Sequence, residues 1–149
     1  MTADSDVVID DHLLIRVLLD YEPAGLRAAQ ARVFTTGLWY QRACRALASS
    51  TVTGTLSRLL GADDPAIGVA ALGAVTALPE AIGLVSLRDL AWPMARLLDD
   101  GVHLNLLSLE ALAAAEDLGA VLCLATADEN PPLLAAAAIR GHPTLLIHA

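Results

Sequence analysis

The sequence contains no lysine, so arginine supplies all nine basic side chains, against 17 aspartates and glutamates. The resulting net charge of −8 argues against a general nucleic-acid-binding protein, because lysine and arginine contacts to phosphates supply most non-specific affinity. Aromatic residues are also scarce, at 3% of the chain. The hydrophobic fraction is nevertheless 56%, which excludes a disordered protein and favours one large core.

Cysteine is rare as well, and the two that occur, Cys44 and Cys123, stand in no CxxC or Cys–His spacing. We expect buried thiols in a reducing cytosol, and hence a cytoplasmic protein. The acidic N-terminus lacks the basic and apolar regions of a secretory signal. The longest notable uncharged run, from Ala66 to Pro79, spans about 14 residues, whereas a bilayer span needs about 20. We therefore expect no association with a membrane.

Alanine and leucine are abundant, with 29 of each among 149 residues, and both favour helix. Four short apolar segments break the helical pattern and are predicted to be strands, at residues 7–9, 83–85, 121–124 and 144–147. The length suits one domain over residues 1–149. Strands separated by helices predict an α/β fold, a three-layer sandwich with a central parallel sheet of about four strands flanked by helices.

Helices are predicted around this sheet, and several have clear capping signals. The expected start signals are Thr35 or Thr36 before a helix over 37–48, Pro65 for 65–78, Ser108 for a helix closed by Gly119, and Asn130 with Pro131 for a helix to 140. Further helices are expected at 12–19, 24–32 and 56–60. Another ends near residue 98 and contains Pro93, which predicts a kink or a start near Ala91.

Positive charge is concentrated in one segment, because no acidic residue occurs between Pro23 and Ala62. The five arginines of this basic segment are Arg27, Arg32, Arg42, Arg45 and Arg58. Two interpretations are open. The arginines can form solvated faces paired with acids of the same chain, or a docking surface for RNA or an acidic partner protein.

Carboxylates follow two of the predicted strands, with Asp10 and Asp11 after the first and Asp128 and Glu129 just past the third. Glu110 lies on the helix that leads into the third strand. Ligands of open parallel sheets bind outside the carboxyl ends of the strands. Carboxylates that meet there suit Mg²⁺ or Mn²⁺. The four histidines show no metal-binding spacing.

The segment VVIDDHLLIRVLL resembles the opening of PIN domains, in which an apolar strand ends in Asp and leads into a helix. The last third is similar to them as well, with LSLEALAAAEDLGA, a strand, and then Thr126-Ala127-Asp128. The likeness is one of layout over most of the chain. PIN domains are small Mg²⁺-dependent ribonucleases, many of them toxins of toxin–antitoxin pairs, and they commonly form homodimers.

The resemblance implies Asp10, Glu110 and Asp128 as catalytic and metal-binding residues. The family's second acid is absent, because Trp, Tyr, Gln and Arg occupy residues 39–42, and Glu110 stands two positions after the expected place of the third. With fewer carboxylates, Mg²⁺ or Mn²⁺ should bind weakly. Each acid also has a structural alternative, since Asp10 and Asp128 can cap helices and Glu110 suits a first helical turn.

We therefore expect a degenerate PIN-like protein that acts mainly through binding an antitoxin-like protein or RNA, and that forms a homodimer. One alternative is an active Mg²⁺-dependent ribonuclease of the PIN type, such as the toxin of a toxin–antitoxin pair. Another is an unrelated α/β domain with a small-molecule site.

Overall fold

A computed structural model describes residues 4–48 and 65–149. In these ranges the strands are β1 (Val7–Ile9), β2 (Val33–Thr36), β3 (Ile82–Val85), β4 (Val121–Ala125) and β5 (Thr144–Ile147). The helices are α1 (Asp11–Leu18), α2 (Gly37–Ala48), α3 (Pro65–Thr76), α4 (Leu87–Asp99), α5 (Leu106–Leu118) and α6 (Pro131–Ile139). All strands pair in parallel, in the order β3-β2-β1-β4-β5. The predicted α/β sandwich is confirmed, with five strands instead of four.

The short strand β1 lies at the centre of the sheet, between β2 and β4, and all its residues are buried. Val8 packs into one hydrophobic cluster with residues of α4, α5 and α6. Val7 and Ile9 face the other side and pack with residues of α1 and α2. This alternation follows from the period of two in a strand. Helices therefore cover both faces of the sheet, as expected for an apolar parallel strand.

The strand β2 was not predicted, because its threonines read as helix caps. The two threonines lie in the strand, and one of them also caps the helix that follows. The Thr35 hydroxyl donates to the Ile9 carbonyl of β1 at 3.0 Å, while Thr36 Oγ1 accepts from the Trp39 N–H at the start of α2. The predicted helix over residues 24–32 is wrong, since turns and irregular chain occupy that range. Gly25 has φ +81°, a left-handed conformation that does not continue a helix.

Two further helix starts differ from the predictions. The helix α5 begins at Leu106 with Asn105 as its cap, because the Asn105 side chain accepts from the Ser108 N–H; Ser108 itself lies inside the helix. The helix α4 begins at Leu87 and keeps Pro93 in its interior, so a start near Ala91 is wrong.

Several other predicted boundaries are confirmed. Asn130 caps α6, and Gly119 ends α5 in the left-handed conformation. The uncharged run that begins near Ala66 forms α3. The predicted helix at 56–60 lies outside the described residues. Within the part of the chain that the structure covers, no helix is long and apolar enough to cross a membrane.

The two cysteines are free thiols on different elements. Cys123 on β4 is buried as predicted, whereas Cys44 on α2 is only partly buried. Burial raises the pKa of the Cys123 thiol to about 12, so that thiol stays protonated at neutral pH.

Gly83 on β3 stands directly opposite Phe34 on β2, and a Cβ at Gly83 would overlap the Phe34 ring. We expect Gly83→Ala to lower the free energy of unfolding by about 1–3 kcal/mol, because the ring must move. Gly73 on α3 is the matched control, since no atom of the described residues lies within 4 Å of a Cβ built there. Gly73→Ala should be neutral or stabilising by up to about 1 kcal/mol. Urea denaturation of both variants tests this, and equal effects would contradict it.

Candidate functional site

A cleft of about 130 Å³ lies at the carboxyl ends of β1 and β4. Its polar lining includes Asp10 after β1, Arg42 on α2, and Asp128 in the short 3₁₀ turn that follows β4. The strand ends thus bring together two acids, Asp10 and Asp128, that are 118 positions apart in the sequence. This is the edge of the sheet at which parallel α/β proteins bind ligands.

Both carboxylate oxygens of Asp10 accept hydrogen bonds from the backbone. Oδ1 accepts from the Leu13 N–H at 2.9 Å and so caps α1, while Oδ2 accepts from the Ala125 N–H at 2.8 Å at the end of β4. The residue is only 2% exposed. Burial raises the pKa of Asp10 to about 6, although the two N–H donors favour the charged form. Asp10 therefore has the capping role that the sequence left open as an alternative.

Glu110 is also buried, but it does not line the cleft. Its Oε1 accepts a hydrogen bond from the Leu38 N–H at 2.8 Å, at the start of α2. A carboxylate at this place accepts a hydrogen bond from an otherwise free N–H group and interacts favourably with the positive end of the helix dipole. Glu110 therefore stabilises the N-terminus of α2, a helix that precedes it by 72 positions.

Arg42 occupies the part of α2 in which the family resemblance leads one to expect an acid. Its Nε donates to Asp11 Oδ2 at 3.0 Å, and its Nη2 donates to Asp128 Oδ2. Burial opposes its charge, but Asp11 and Asp128 raise the pKa of Arg42 above its ordinary value. The guanidinium is therefore a fixed cation between the acids that follow β1 and β4.

Asp11 and His12, the first two residues of α1, complete this group. The sequence placed Asp11 among the carboxylates at the strand ends but not among the predicted catalytic or metal-binding residues, and it gave His12 no role. Asp11 is 6% exposed, and its Oδ1 is buried without a hydrogen-bond partner. His12 Nε2 lies 3.7 Å from Asp128 Oδ2. Asp11, His12 and Asp128 each offer one potential ligand atom, and these atoms lie within 4.8 Å of one another. The one signal in the sequence was the Asp-Asp-His run after a strand.

The arginines of the basic segment pair largely with acids of the same chain. Arg27 pairs with Glu22, Arg32 with Asp6, and Arg42 with Asp11 and Asp128. Arg45 is exposed on α2, and Arg58 lies outside the described residues. These pairs agree with the first interpretation of the segment, in which its charge is compensated internally.

The donor set that the resemblance implies is poorly suited to Mg²⁺ here. Mg²⁺ needs near-octahedral oxygen ligands. Both oxygens of Asp10 and Oε1 of Glu110 already accept backbone hydrogen bonds, and Oδ2 of Asp128 accepts from Arg42. Few oxygens of these three residues are left to replace water around a magnesium ion.

The raised pKa of Asp10 predicts a pH effect on stability. Because an aspartate in an unfolded chain has a pKa of about 3.9, the folded protein binds this proton more tightly than the unfolded chain does. The contribution of Asp10 to the free energy of unfolding is therefore fully present below about pH 4 and is lost as the pH rises through about 6. Asp10→Asn does not titrate, so the wild type should lose up to about 3 kcal/mol relative to this variant over that range.

Urea denaturation of both proteins at several pH values between about 4 and 7 measures this difference. At every pH the variant loses one acceptor, because an amide offers a single oxygen to the two N–H donors. A difference between the two proteins that stays constant with pH would contradict the raised pKa.

Removal of the Glu110 carboxylate should destabilise the fold. Glu110→Ala leaves the Leu38 N–H without its acceptor and opens a cavity, so we expect a loss of about 2–4 kcal/mol in the free energy of unfolding. Glu110→Gln keeps an oxygen acceptor and should lose about half as much. Glu116→Gln, on the more exposed side of the same helix, is the control and should change stability by less than about 1 kcal/mol. If Glu110→Ala were as stable as this control, the structural role would be refuted.

The sequence matches no protein-family model and no curated protein. Membership of the PIN-like family therefore stays a prediction from the residues quoted above. The candidate site rests on its own geometry, a group of acids at the strand ends with one arginine fixed among them.

Proposed function

We propose that this chain is a degenerate PIN-like protein that acts mainly by binding a partner, with weak or no metal-dependent nuclease activity. The ion pairs of Arg42 with Asp11 and Asp128 carry this proposal. A guanidinium at the acidic edge repels a divalent ion and uses carboxylate oxygens that such an ion needs. In the nucleases that the sequence resembles, an acid lies in this part of the helix, near residues 39–42.

The size of the cleft supports binding over turnover of RNA. Its volume of about 130 Å³ is well below the roughly 300–1,000 Å³ of ordinary small-molecule pockets. This space suits an ion with its water molecules, or one side chain of a partner, and does not enclose a nucleotide.

The exposed side chains favour a protein partner over RNA. Trp92 on α4 is 73% exposed, and Leu84 on β3 and Leu87 on α4 are each about half exposed. Tryptophan is enriched in protein interfaces, while RNA binding relies on uncompensated positive charge. Three arginines of the basic segment are already ion-paired. An antitoxin-like protein or a second copy of this chain therefore suits the surface better than RNA does.

An active Mg²⁺-dependent ribonuclease is the second candidate, and one observation favours it. Asp10 and Asp128 line the same cleft, and Mg²⁺ is often held by only one or two carboxylates with water completing its shell.

An RNA cleavage assay separates the two candidates. We expect slow or undetectable cleavage of single-stranded and structured RNA by the purified protein at millimolar Mg²⁺ or Mn²⁺, because Arg42 opposes the metal. Robust cleavage that Asp10→Asn and Asp128→Asn both abolish would overturn the binding proposal and establish the nuclease. Cleavage that survives both substitutions would point to a contaminating enzyme.

The role of Arg42 can be tested by restoring an acid. Arg42→Glu removes the fixed cation and adds a carboxylate, so Mn²⁺ should bind at least tenfold more tightly than in the wild type. Arg45→Glu changes charge equally on the same helix but does not line the cleft, and it is the matched control. Calorimetric titration with Mn²⁺ measures both. An equal gain in Mn²⁺ affinity in the two variants would show a general effect of charge rather than an effect of the carboxylate at position 42.

A further inference from the structure

The group of Asp11, His12 and Asp128 differs from the all-carboxylate set that the resemblance implies. Two of its members come from the first turn of α1 and one from the turn after β4. The side chains of His12 and Asp128 are 37% and 40% exposed, whereas that of Asp11 is 8% exposed. Solvent therefore reaches the imidazole and one carboxylate, while the second carboxylate forms the buried side of the group.

The buried Asp11 Oδ1 is an independent observation that points to a ligand at this group. In the residues that the structure describes, it is the one buried side-chain oxygen or nitrogen without a hydrogen-bond partner. An oxygen left unsatisfied in this way carries the full desolvation penalty of its group, and that penalty is larger when the group is charged. The other oxygen of Asp11 accepts from Arg42 Nε, so the guanidinium does not satisfy Oδ1. A cation bound at Oδ1 would satisfy this oxygen.

The charges around this group still favour a second cation. Four carboxylates, those of Asp10, Asp11, Asp128 and Glu129, follow the two strand ends. Among the described residues, Arg42 is the one arginine paired with them. A single positive charge does not balance this set, so the group keeps a net attraction for a divalent ion, which the repulsion from Arg42 weakens but does not cancel.

The donor atoms select the class of metal. An imidazole nitrogen with two carboxylate oxygens is a ligand set that Zn²⁺ and similar transition-metal ions accept, whereas Mg²⁺ prefers oxygen alone. Three protein ligands in a tetrahedral site leave one position for water. The exposure of His12 and Asp128 leaves room for that water.

We propose that Asp11, His12 and Asp128 bind one divalent ion of the zinc class. This site goes beyond the proposed binding function and does not depend on it. It uses Asp11 and His12 in place of Asp10 and Glu110, whose oxygens are bonded to backbone N–H groups. Arg42 shares Asp11 and Asp128 with the ion, so it lowers the affinity without filling the site.

Zinc titration of the full chain tests the site. After treatment with a chelator, the protein is titrated with Zn²⁺ in competition with a chromogenic chelator. We expect one equivalent to bind to the wild type, and His12→Gln to bind at least tenfold more weakly. His103→Gln is the matched control, because His103 is exposed in the loop between α4 and α5, and it should bind as the wild type does. Circular dichroism verifies that both variants fold.

Two further measurements complete the test. Co²⁺ in place of Zn²⁺ should give the visible absorption of a four-coordinate nitrogen–oxygen site, and His12→Gln should abolish that absorption. Arg42→Gln should bind Zn²⁺ several-fold more tightly than the wild type. Failure of the wild type to bind an equivalent, or equal binding by His12→Gln, would overturn the proposal. These readouts do not involve RNA, so they stand apart from the outcome of the cleavage assay.

Discussion

The two hydrogen bonds that Asp10 accepts join three elements at one point. One oxygen ends the central strand β1 by capping α1, and the other holds the last residue of β4 beside it. Because the residue is buried, its charge is tolerated only while both N–H groups point at it. The first turn of α1 and the turn after β4 are thereby held next to each other. This contact therefore brings Asp11 and His12 near Asp128.

A second buried carboxylate serves the neighbouring helix in the same way. Glu110 reaches from α5 across to the first turn of α2, where Thr36 also accepts a backbone N–H. Arg42 then lies just over one turn into α2, close enough to pair with Asp11 and Asp128. Two acids that sequence reasoning assigned to a metal thus orient the helices that carry the actual ion pairs. A loss of metal-dependent activity in a variant of either acid has to be read together with the stability of that variant.

Much of the fold follows from local sequence signals. Short apolar runs mark β1 and β5, and Asn130 and Gly119 mark helix ends because their side chain or backbone suits a cap. The strand β2 escaped prediction because its two threonines use their hydroxyls for contacts outside the strand ladder. Those contacts depend on where Ile9 and Trp39 lie in three dimensions, which composition and periodicity do not contain.

The candidate site was predictable only in part, for a similar reason. Asp10 and Asp128 stand at strand ends, and the rule for parallel sheets places such residues together. The roles of Asp11, His12 and Arg42 depend instead on the rotation of α1 and α2 about their axes. The Arg42 contacts join residues 31 and 86 positions apart, and one residue of helical rotation would turn each side chain by about 100°. The charge pattern of the sequence alone could not show that Arg42 would pair with Asp11 and Asp128.

Arg42 is a counter-ion that the chain carries with it. A bound metal leaves when its free concentration falls below its dissociation constant, whereas a tethered guanidinium keeps a high effective concentration at its site and stays protonated at any pH the fold survives. Dilution and chelators do not remove it. The acids at the strand ends are consequently held together whatever the supply of metal in the cell. This edge can therefore fold without a metal, in contrast to small domains that stay unfolded until an ion binds.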